Sequence, residues 1–385
     1  MSLLESQPES VRLHLPMIDS LHIAGFKLFR DLTLPKLGRM NLIVGENNTG
    51  KSCLLEAIGL YAGNSPIADI LQTASLRSPE PLLPWDASSS NIEGSSLRHP
   101  VFDLFHREGI SAGSQVFPIV IGKVGDLNTL YITAQLHDLV PDDQGVRRYV
   151  PAIPGQVTFD HLELALPVRR GLSQIALVTR NNLPLRPRSI DMQGSLFGDS
   201  LGAAYLPANG FSYPKAASLW DEVIQGPGQV RVLDWMRMVD RRIEDLDFVG
   251  GSGTSRVALL KVEDEGRIPL STMGDGLRRM FHIGLAMATA SNGILLIDEF
   301  ENGLHWRIQR ELWAALGKAA KEFDVQIFAT THSRDCIGGF VSASEELGIQ
   351  DAKLYRLERE GDEIYAVDLA LINVEAALEL NGEVR

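Results

Sequence analysis

The chain predicts an α/β fold, a mostly parallel sheet flanked by helices with an antiparallel β lobe inserted into it. Three observations predict this. The runs MNLIVG (40–45), GILLIDEF (293–300) and VQIFATTHS (325–333) are apolar without alternation, as strands buried on both faces must be. Helical patterns follow them, and strand–helix–strand alternation implies parallel pairing through crossover connections. From Val116 to about Val178, by contrast, VFPIVIG, TLYITAQLH and LELALPV alternate in the manner of antiparallel strands.

Taken in order, IDSLHIAGFKLFRDLTL (18–34) reads as strand, turn and strand. MNLIVG is a short buried strand, and Lys51 to about Ala62 is a helix with apolar positions Leu54, Leu55, Ile58 and Leu60. Residues 63–115 turn rich in Ser, Pro and Gly and predict a long loop or irregular insertion. AAYLP (203–207) predicts a buried strand, and ASLWDEVIQ (217–225) and VRVLDWMRMVDRRI (230–243) predict amphipathic helices. SRVALLKVE (255–263) is a strand, LRRMFHIGLAMATA (277–290) a helix, LHWRIQRELWAALGKAAKEF (304–323) a helix, and IYAVDLA (364–370) a closing strand. The expected division is 1–62 for the first part of the core, 63–200 for the insertion and lobe, and 201–385 for the rest of the core.

Composition sets limits on function. With 44% hydrophobic and 22% charged residues among 385, the chain is long enough for a sizeable core. No run of about 18 apolar residues predicts a membrane span. The opening MSLLESQPESVRLHLP carries carboxylates where a secretory signal needs Lys or Arg, and two cysteines, Cys53 and Cys336, form neither a disulfide framework nor a metal cluster. A cytoplasmic protein is expected, with Cys53 a packed small residue. A net charge of −13 argues against general polyanion binding, since phosphate neutralisation dominates nucleic-acid affinity. Local basic pairs at Arg147-Arg148, Arg169-Arg170, Arg186/Arg188 and Arg241-Arg242 read as surface, with a nucleic-acid groove as the sharper alternative.

Four segments carry chemistry. GENNTGKS (45–52) matches G-x-x-x-x-G-K-[ST] between a strand and a helix. Gly45 and Gly50 let successive N–H groups turn inward, the helix adds its positive end, Lys51 reaches terminal phosphates and Ser52 offers a hydroxyl to Mg²⁺. GILLIDEFENGL carries Asp298 and Glu299 to the carboxyl edge of the sheet, where ligands bind in such folds. There Asp298 can hold Mg²⁺ through water, and Glu299 can take a proton from an attacking water. PLSTMGDGLRRMF (269–281) is a glycine-containing turn opening a helix, with Ser271 or Thr272 as its N-cap and a second potential anion site. FATTHS places His332 just past a strand, ready to sense a γ-phosphate.

These four segments in this order resemble the ATP-binding-cassette (ABC) ATPases, above all the branch containing RecF, SMC-type proteins and the ATPase parts of the OLD (overcoming lysogenization defect) nucleases. LLIDEFENGLH is similar to the OLD-like group in particular, and the resemblance spans most of the chain outside roughly 63–200. It implies a P-loop NTPase fold of the ABC ATPase-head type. It implies Gly45, Asn48, Gly50, Lys51 and Ser52 as the Walker A loop, Asp298 as Walker B, Glu299 as general base and His332 as the switch histidine. It further implies a signature motif at Thr272, or its rival Ser271, and Gly274, with Asp275 where relatives carry Gln or Glu. Residues 301–305 would form the D-loop, and Asn209, in YLPANG, would stand in for the Q-loop residue. ATP and Mg²⁺ are the implied cofactors, held in a head-to-tail homodimer that sandwiches two nucleotides.

The expected function is an ATP-hydrolysing, dimerising switch. About 50 residues follow His332, too few for the appended nuclease (Toprim) domain of OLD proteins, so a separate effector, a nuclease or toxin, is expected in anti-phage defence or DNA repair. A non-catalytic ATP-gated scaffold or DNA clamp is the alternative, and a small-molecule phosphotransferase a more distant one.

Overall fold

A computed structural model describes residues 17–63, 103–106, 117–126, 128–141, 145, 147–151, 163–170, 173–178, 186–187, 202–226, 228–250, 256–346, 348 and 351–379. Most of the segment expected as an irregular insertion lies outside these residues, as do Arg188 and the side chains of Arg147, Arg148 and Arg186.

The strands in chain order are β1 (Leu21–Phe26), β2 (Phe29–Leu34), β3 (Met40–Gly45), β4 (Ile119–Gly122), β5 (Leu130–Ile132), β6 (Gln135–Pro141), β7 (Arg147–Pro151), β8 (Glu163–Arg170), β9 (Ser173–Val178), β10 (Arg186–Pro187), β11 (Ala203–Leu206), β12 (Ile243–Val249), β13 (Val257–Val262), β14 (Gly266–Pro269), β15 (Ile294–Ile297), β16 (Gln326–Thr330), β17 (Ala352–Glu360) and β18 (Glu363–Leu369). The α-helices are α1 (Lys51–Ala62), α2 (Tyr213–Val223), α3 (Gly228–Arg237), α4 (Asp275–Thr289), α5 (Trp306–Glu322), α6 (Arg334–Glu346) and α7 (Leu371–Glu379).

The central sheet runs β11-β15-β16-β3-β17-β18, parallel throughout except for β18, which closes the edge antiparallel to β17. Its inner strands are buried on both faces, so adjacent residues serve different cores. Ile43, Leu296 and Phe328 face α1 and the antiparallel lobe, while Leu42, Val44, Leu295, Ile297 and Ala329 face α4, α5 and α6. On that second face Trp313 of α5 stacks on Phe300 at 3.9 Å between ring centroids and meets Phe340 of α6 edge-on at 5.0 Å. Phe300 thereby anchors the chain between Glu299 and Glu301.

The antiparallel sheet contains β1, β2 and β4 to β10, so residues 1–62 contribute to both layers. It is tied to α1 by a buried ion pair, Lys27 Nζ to Glu56 Oε2 at 2.5 Å. Residues 103–106, inside the expected irregular insertion, belong to this core: Leu104 and Phe105 are buried, and Phe105 bridges to Phe26. Apolar side chains override the loop-like composition around them.

Two expectations change. AAYLP is not a fully buried strand: Ala203 is exposed and Ala204 and Tyr205 half-buried, because β11 is an edge strand that, among the described residues, pairs with β15 alone. The helix expected over 230–243 stops at Arg237, and Ile243 starts β12 of a third sheet, β12-β13-β14. Asp240 turns the chain by accepting from the Arg242 N–H, while Arg237 donates to the carbonyls of Ile243 and Glu244. Pairing with β13 then overrides the local helical pattern. This third sheet packs with α2, α3 and α4 around Trp220, Phe281 and Leu260.

Candidate active site

Register places the site. Leu206, Ile297 and Ala329 align across β11, β15 and β16, and Thr330 aligns with Ile43 of β3. The segments that leave these strands, 207–212, 298–305, 331–333 and 45–52, therefore emerge together at the carboxyl edge, as the sequence requires of its phosphate loop, acidic pair and histidine.

The loop at 45–52 has the backbone of a phosphate cradle. Gly45 and Gly50 have φ of 143° and 92°, and Asn48 adopts the left-handed region at 64°, which Asn tolerates better than most residues. A Cβ on Gly45 would fall 2.6 Å from the Leu357 carbonyl oxygen, and one on Gly50 would fall 2.8 Å from the Phe29 ring, so close approach as well as φ demands glycine. Gly50 caps α1 without a side-chain hydrogen bond, leaving the first-turn N–H groups pointing into the loop. Lys51 Nζ donates to the carbonyls of Gly45 and Glu46, both at 2.8 Å. Burial pulls its pKa below the ordinary value, against the opposing fields of Asp298, Glu299 and Glu301.

Ser52 reaches across the sheet. Its hydroxyl donates to Asp298 Oδ1 at 3.1 Å, and Thr330 Oγ1 donates to the same oxygen at 2.6 Å. Tyr205 OH approaches Asp298 Oδ2 at 3.4 Å. Asp298 is only 8% exposed. A hydroxyl and a carboxylate side by side are hard oxygen donors of the kind Mg²⁺ takes, usually with retained waters. Glu299 has φ of 47°, held by its N–H donating to Thr330 Oγ1 at 2.8 Å. Its Oε2 accepts from Asn302 Nδ2 at 2.6 Å. His332 is half exposed and donates its backbone N–H to Glu301 Oε1 at 3.0 Å.

Arg279 of α4 was not signalled as a site residue, yet it binds the site together. Buried at 5% exposure, its guanidinium donates to the carbonyls of Pro207 (2.9 Å), Ala208 (3.2 Å), Asp298 (2.7 Å) and Glu299 (2.8 Å). Desolvation brings its pKa down to about 10, so it remains charged at neutral pH. One side chain thus joins the 207–212 loop, the acidic pair and the helix opened by the LSTMGDG turn. No sequence signal set it apart from Arg278; its place in the buried run Arg279–Met287, where an Arg must be paired, shows only in the structure.

Ser271, Thr272 and Gly274 are not brought to the phosphate loop. All three are exposed at the start of α4, and among the described residues none has a hydrogen bond to residues 45–52. Neither Ser271 nor Thr272 is the N-cap: both lie in a 3₁₀ turn (Leu270–Thr272), Thr272 Oγ1 is spent on the Pro269 carbonyl at 2.7 Å, and Gly274 takes the cap position. Asp275 pairs with Arg278. Asn209 is exposed and lines a cavity of about 220 Å³ with Phe211, Arg278 and His282, and no hydrogen bond links it to Ser52 or Asp298. The carbonyls of Pro207 and Ala208, and the Tyr205 hydroxyl, connect this segment to the site instead.

His282, one turn below Arg279, is buried between the Phe211 and Phe281 rings. Burial, and then Arg279 and Arg278, lower its pKa to about 4 from the ordinary 6.5. Between those values the unfolded chain binds a proton that the folded one does not, so this contribution is complete above about pH 6.5 and is lost as pH falls toward 4. His282→Phe should flatten the decline in denaturation midpoint over that interval. A wild-type slope in the variant would remove His282 as the cause.

The basic pairs lean to structure where side chains are described. Arg170 is buried, donates to the Tyr61 carbonyl and stacks over the Tyr61 ring, while Arg242 is paired with Asp240 and Glu265. Cys53 is buried, as expected of a packed small residue. No helix among the described residues is long and apolar enough to cross a membrane.

Comparison with known proteins agrees with the geometry. Residues 218–335 match a family model described as "AAA domain, putative AbiEii toxin, Type IV TA system". A Helicobacter pylori protein named "ATP/GTP phosphatase" is 26% identical over 344 residues, 83% of this chain and 86% of its own. Among solved structures, an SMC head bound to the C-terminal winged-helix domain of ScpA covers 94% of this chain at 13% identity and a TM-score of 0.49, with 100% of its own chain covered. The Thermotoga maritima SMC head covers 91% at 11% identity and a TM-score of 0.41, with 98% of its own chain covered. The phosphate cradle and the strand-borne acidic pair beside it are the parts of an ATPase, and residues 218–335 are similar to an AAA domain.

Proposed function

We propose that the chain binds Mg-ATP in the 45–52 loop, hydrolyses it with Glu299 as general base, and uses the cycle to close and open a head-to-tail homodimer. The observation that carries this reading is the Ser52–Asp298 hydrogen bond at 3.1 Å, which joins residues 246 apart in sequence into one oxygen-donor pair. Ser52 and Asp298 would hold Mg²⁺, which when bound neutralises charge on the phosphates. Lys51, folded onto the loop carbonyls, would turn from them to a terminal phosphate. Thr330 fixes both the Asp298 carboxylate and the Glu299 backbone, so the base and the metal-binding carboxylate keep a set relation. Asn302 holds the Glu299 carboxylate, and a water placed against it would lose its proton to Glu299 as it attacks the γ-phosphate.

The exposed Ser271, Thr272 and Gly274 support a role in trans. Set at a helix start and turned to solvent, they can meet the γ-phosphate held by a second copy, while Arg279 relays that contact to the acidic pair behind them. The resemblance to a toxin–antitoxin ATPase model supports coupling to an effector. We place the chain in the cytoplasm as the switch of a separate nuclease or toxin, in defence against phage or in DNA repair.

Phosphate release from ATP, with GTP as a parallel arm, tests the core of this reading. Lys51→Ala removes charge-assisted bonds worth about 1.5–3 kcal/mol, so nucleotide affinity should fall roughly tenfold to a hundredfold and turnover with it. Undiminished binding would place the nucleotide elsewhere.

A further inference from the structure

Glu301 is an acidic residue of this edge to which the hydrolysis steps give no task. It lies two residues beyond Glu299, past the buried Phe300 anchor. Its side chain is only 9% exposed. Oε1 faces a single residue twice: it accepts from the His332 N–H at 3.0 Å and lies 3.1 Å from His332 Nδ1. Among the described residues, Oε2 is buried without a hydrogen-bond partner. An unpaired buried polar atom is destabilising, so stability alone gives no reason for a carboxylate here. Its charge belongs to the reacting end of the molecule, since its field opposes the lowering of the Lys51 and Arg279 pKa values.

We propose that Glu301 is a positioning residue that sets the tautomer and aim of His332. This rests on the reading of His332 as the residue that meets the γ-phosphate. A carboxylate oxygen 3.1 Å from an imidazole nitrogen favours the tautomer with its proton on that nitrogen, and a small turn of the half-exposed ring would align Nδ1–H with Oε1. Nε2, at the opposite side of the ring, is then the atom left to face nucleotide from a half-exposed side chain. The second contact, from the His332 backbone to the same Oε1, stops the histidine segment from moving independently of the acidic segment. The aim of His332 is therefore tied to Glu299, two residues before Glu301.

The test is a double-mutant cycle with a spectroscopic readout. Steady-state ATP hydrolysis is measured for Glu301→Ala, His332→Ala and the pair, with Glu301→Gln as the near-isosteric control for folding. Nitrogen-15 histidine spectra report the His332 tautomer. His332→Ala should lower kcat by about tenfold or more, and Glu301→Ala by at least about fivefold with KM for ATP changed less than about twofold. The pair should be no slower than His332→Ala alone, since each residue acts through the other. The wild-type spectrum should show Nδ1–H at His332, and Glu301→Ala should shift it to Nε2–H. Multiplying losses in the pair, wild-type kcat in Glu301→Ala, or a tautomer indifferent to Glu301 would overturn the positioning role. Full turnover in His332→Ala would instead overturn the reading of His332 on which it rests.

Discussion

Glu299→Gln should lower kcat for ATP hydrolysis by about 10²–10⁴-fold while nucleotide still binds, the range that loss of a general base produces. The substitution keeps size and shape. The Glu299 N–H still reaches Thr330 Oγ1, its carbonyl still accepts from Arg279, and the Gln amide oxygen can still accept from Asn302. The left-handed backbone at φ 47° is held by these neighbours and should survive the change. What disappears is an oxygen able to take a proton. Phosphate release at saturating Mg-ATP, with ATP affinity measured separately, checks the prediction. Turnover near the wild-type rate would remove Glu299 as the base.

Arg279→Leu should be the most damaging change outside the nucleotide contacts. It takes away a buried guanidinium and leaves the carbonyls of Pro207, Ala208, Asp298 and Glu299 without that donor. Breaking a buried charged network costs about 3–5 kcal/mol, which for a chain of this size lowers the melting temperature by roughly 5–15 °C. The damage should extend to catalysis, because the backbone carrying Glu299 loses its brace, and kcat should fall by at least about tenfold even at temperatures where the variant is folded. Arg279→Lys should be intermediate, since an ammonium offers a point of charge where four carbonyls are arranged for a fork. Thermal denaturation and ATP turnover on the same samples decide it. Wild-type stability in Arg279→Leu would mean that the four bonds are dispensable.

The central strands and the residues at their carboxyl ends were legible because both follow from short-range pattern. β3, β15 and β16 are unbroken apolar runs, and Lys51, Ser52, Asp298, Glu299 and His332 sit at fixed offsets from them. The structure brings the emerging segments to one edge. What was not legible depends on pairing between distant residues. The expected helix ran on to Ile243, the first residue of β12, because only the Asp240 turn and pairing with β13 end the helical pattern. The exposure of Ala203 depends on β11 being an edge, which is a property of sheet order and not of the residue. Nothing in the pattern separates Arg279 from its neighbour Arg278; only the structure buries the first and leaves the second exposed, paired with Asp275. The N-cap was misplaced because Ser271 and Thr272 suit that role chemically, yet the Thr272 hydroxyl closes a 3₁₀ turn one step earlier.

The most direct test of the switch is the solution mass of Glu299→Gln with and without Mg-ATP. Removing the base should trap the closed state. The account predicts a monomer that becomes a dimer on adding Mg-ATP, and no such change when Lys51→Ala is added to the same chain. A chain that binds ATP yet keeps a monomer's mass would contradict the sandwich dimer and move the function to a scaffold or phosphotransferase.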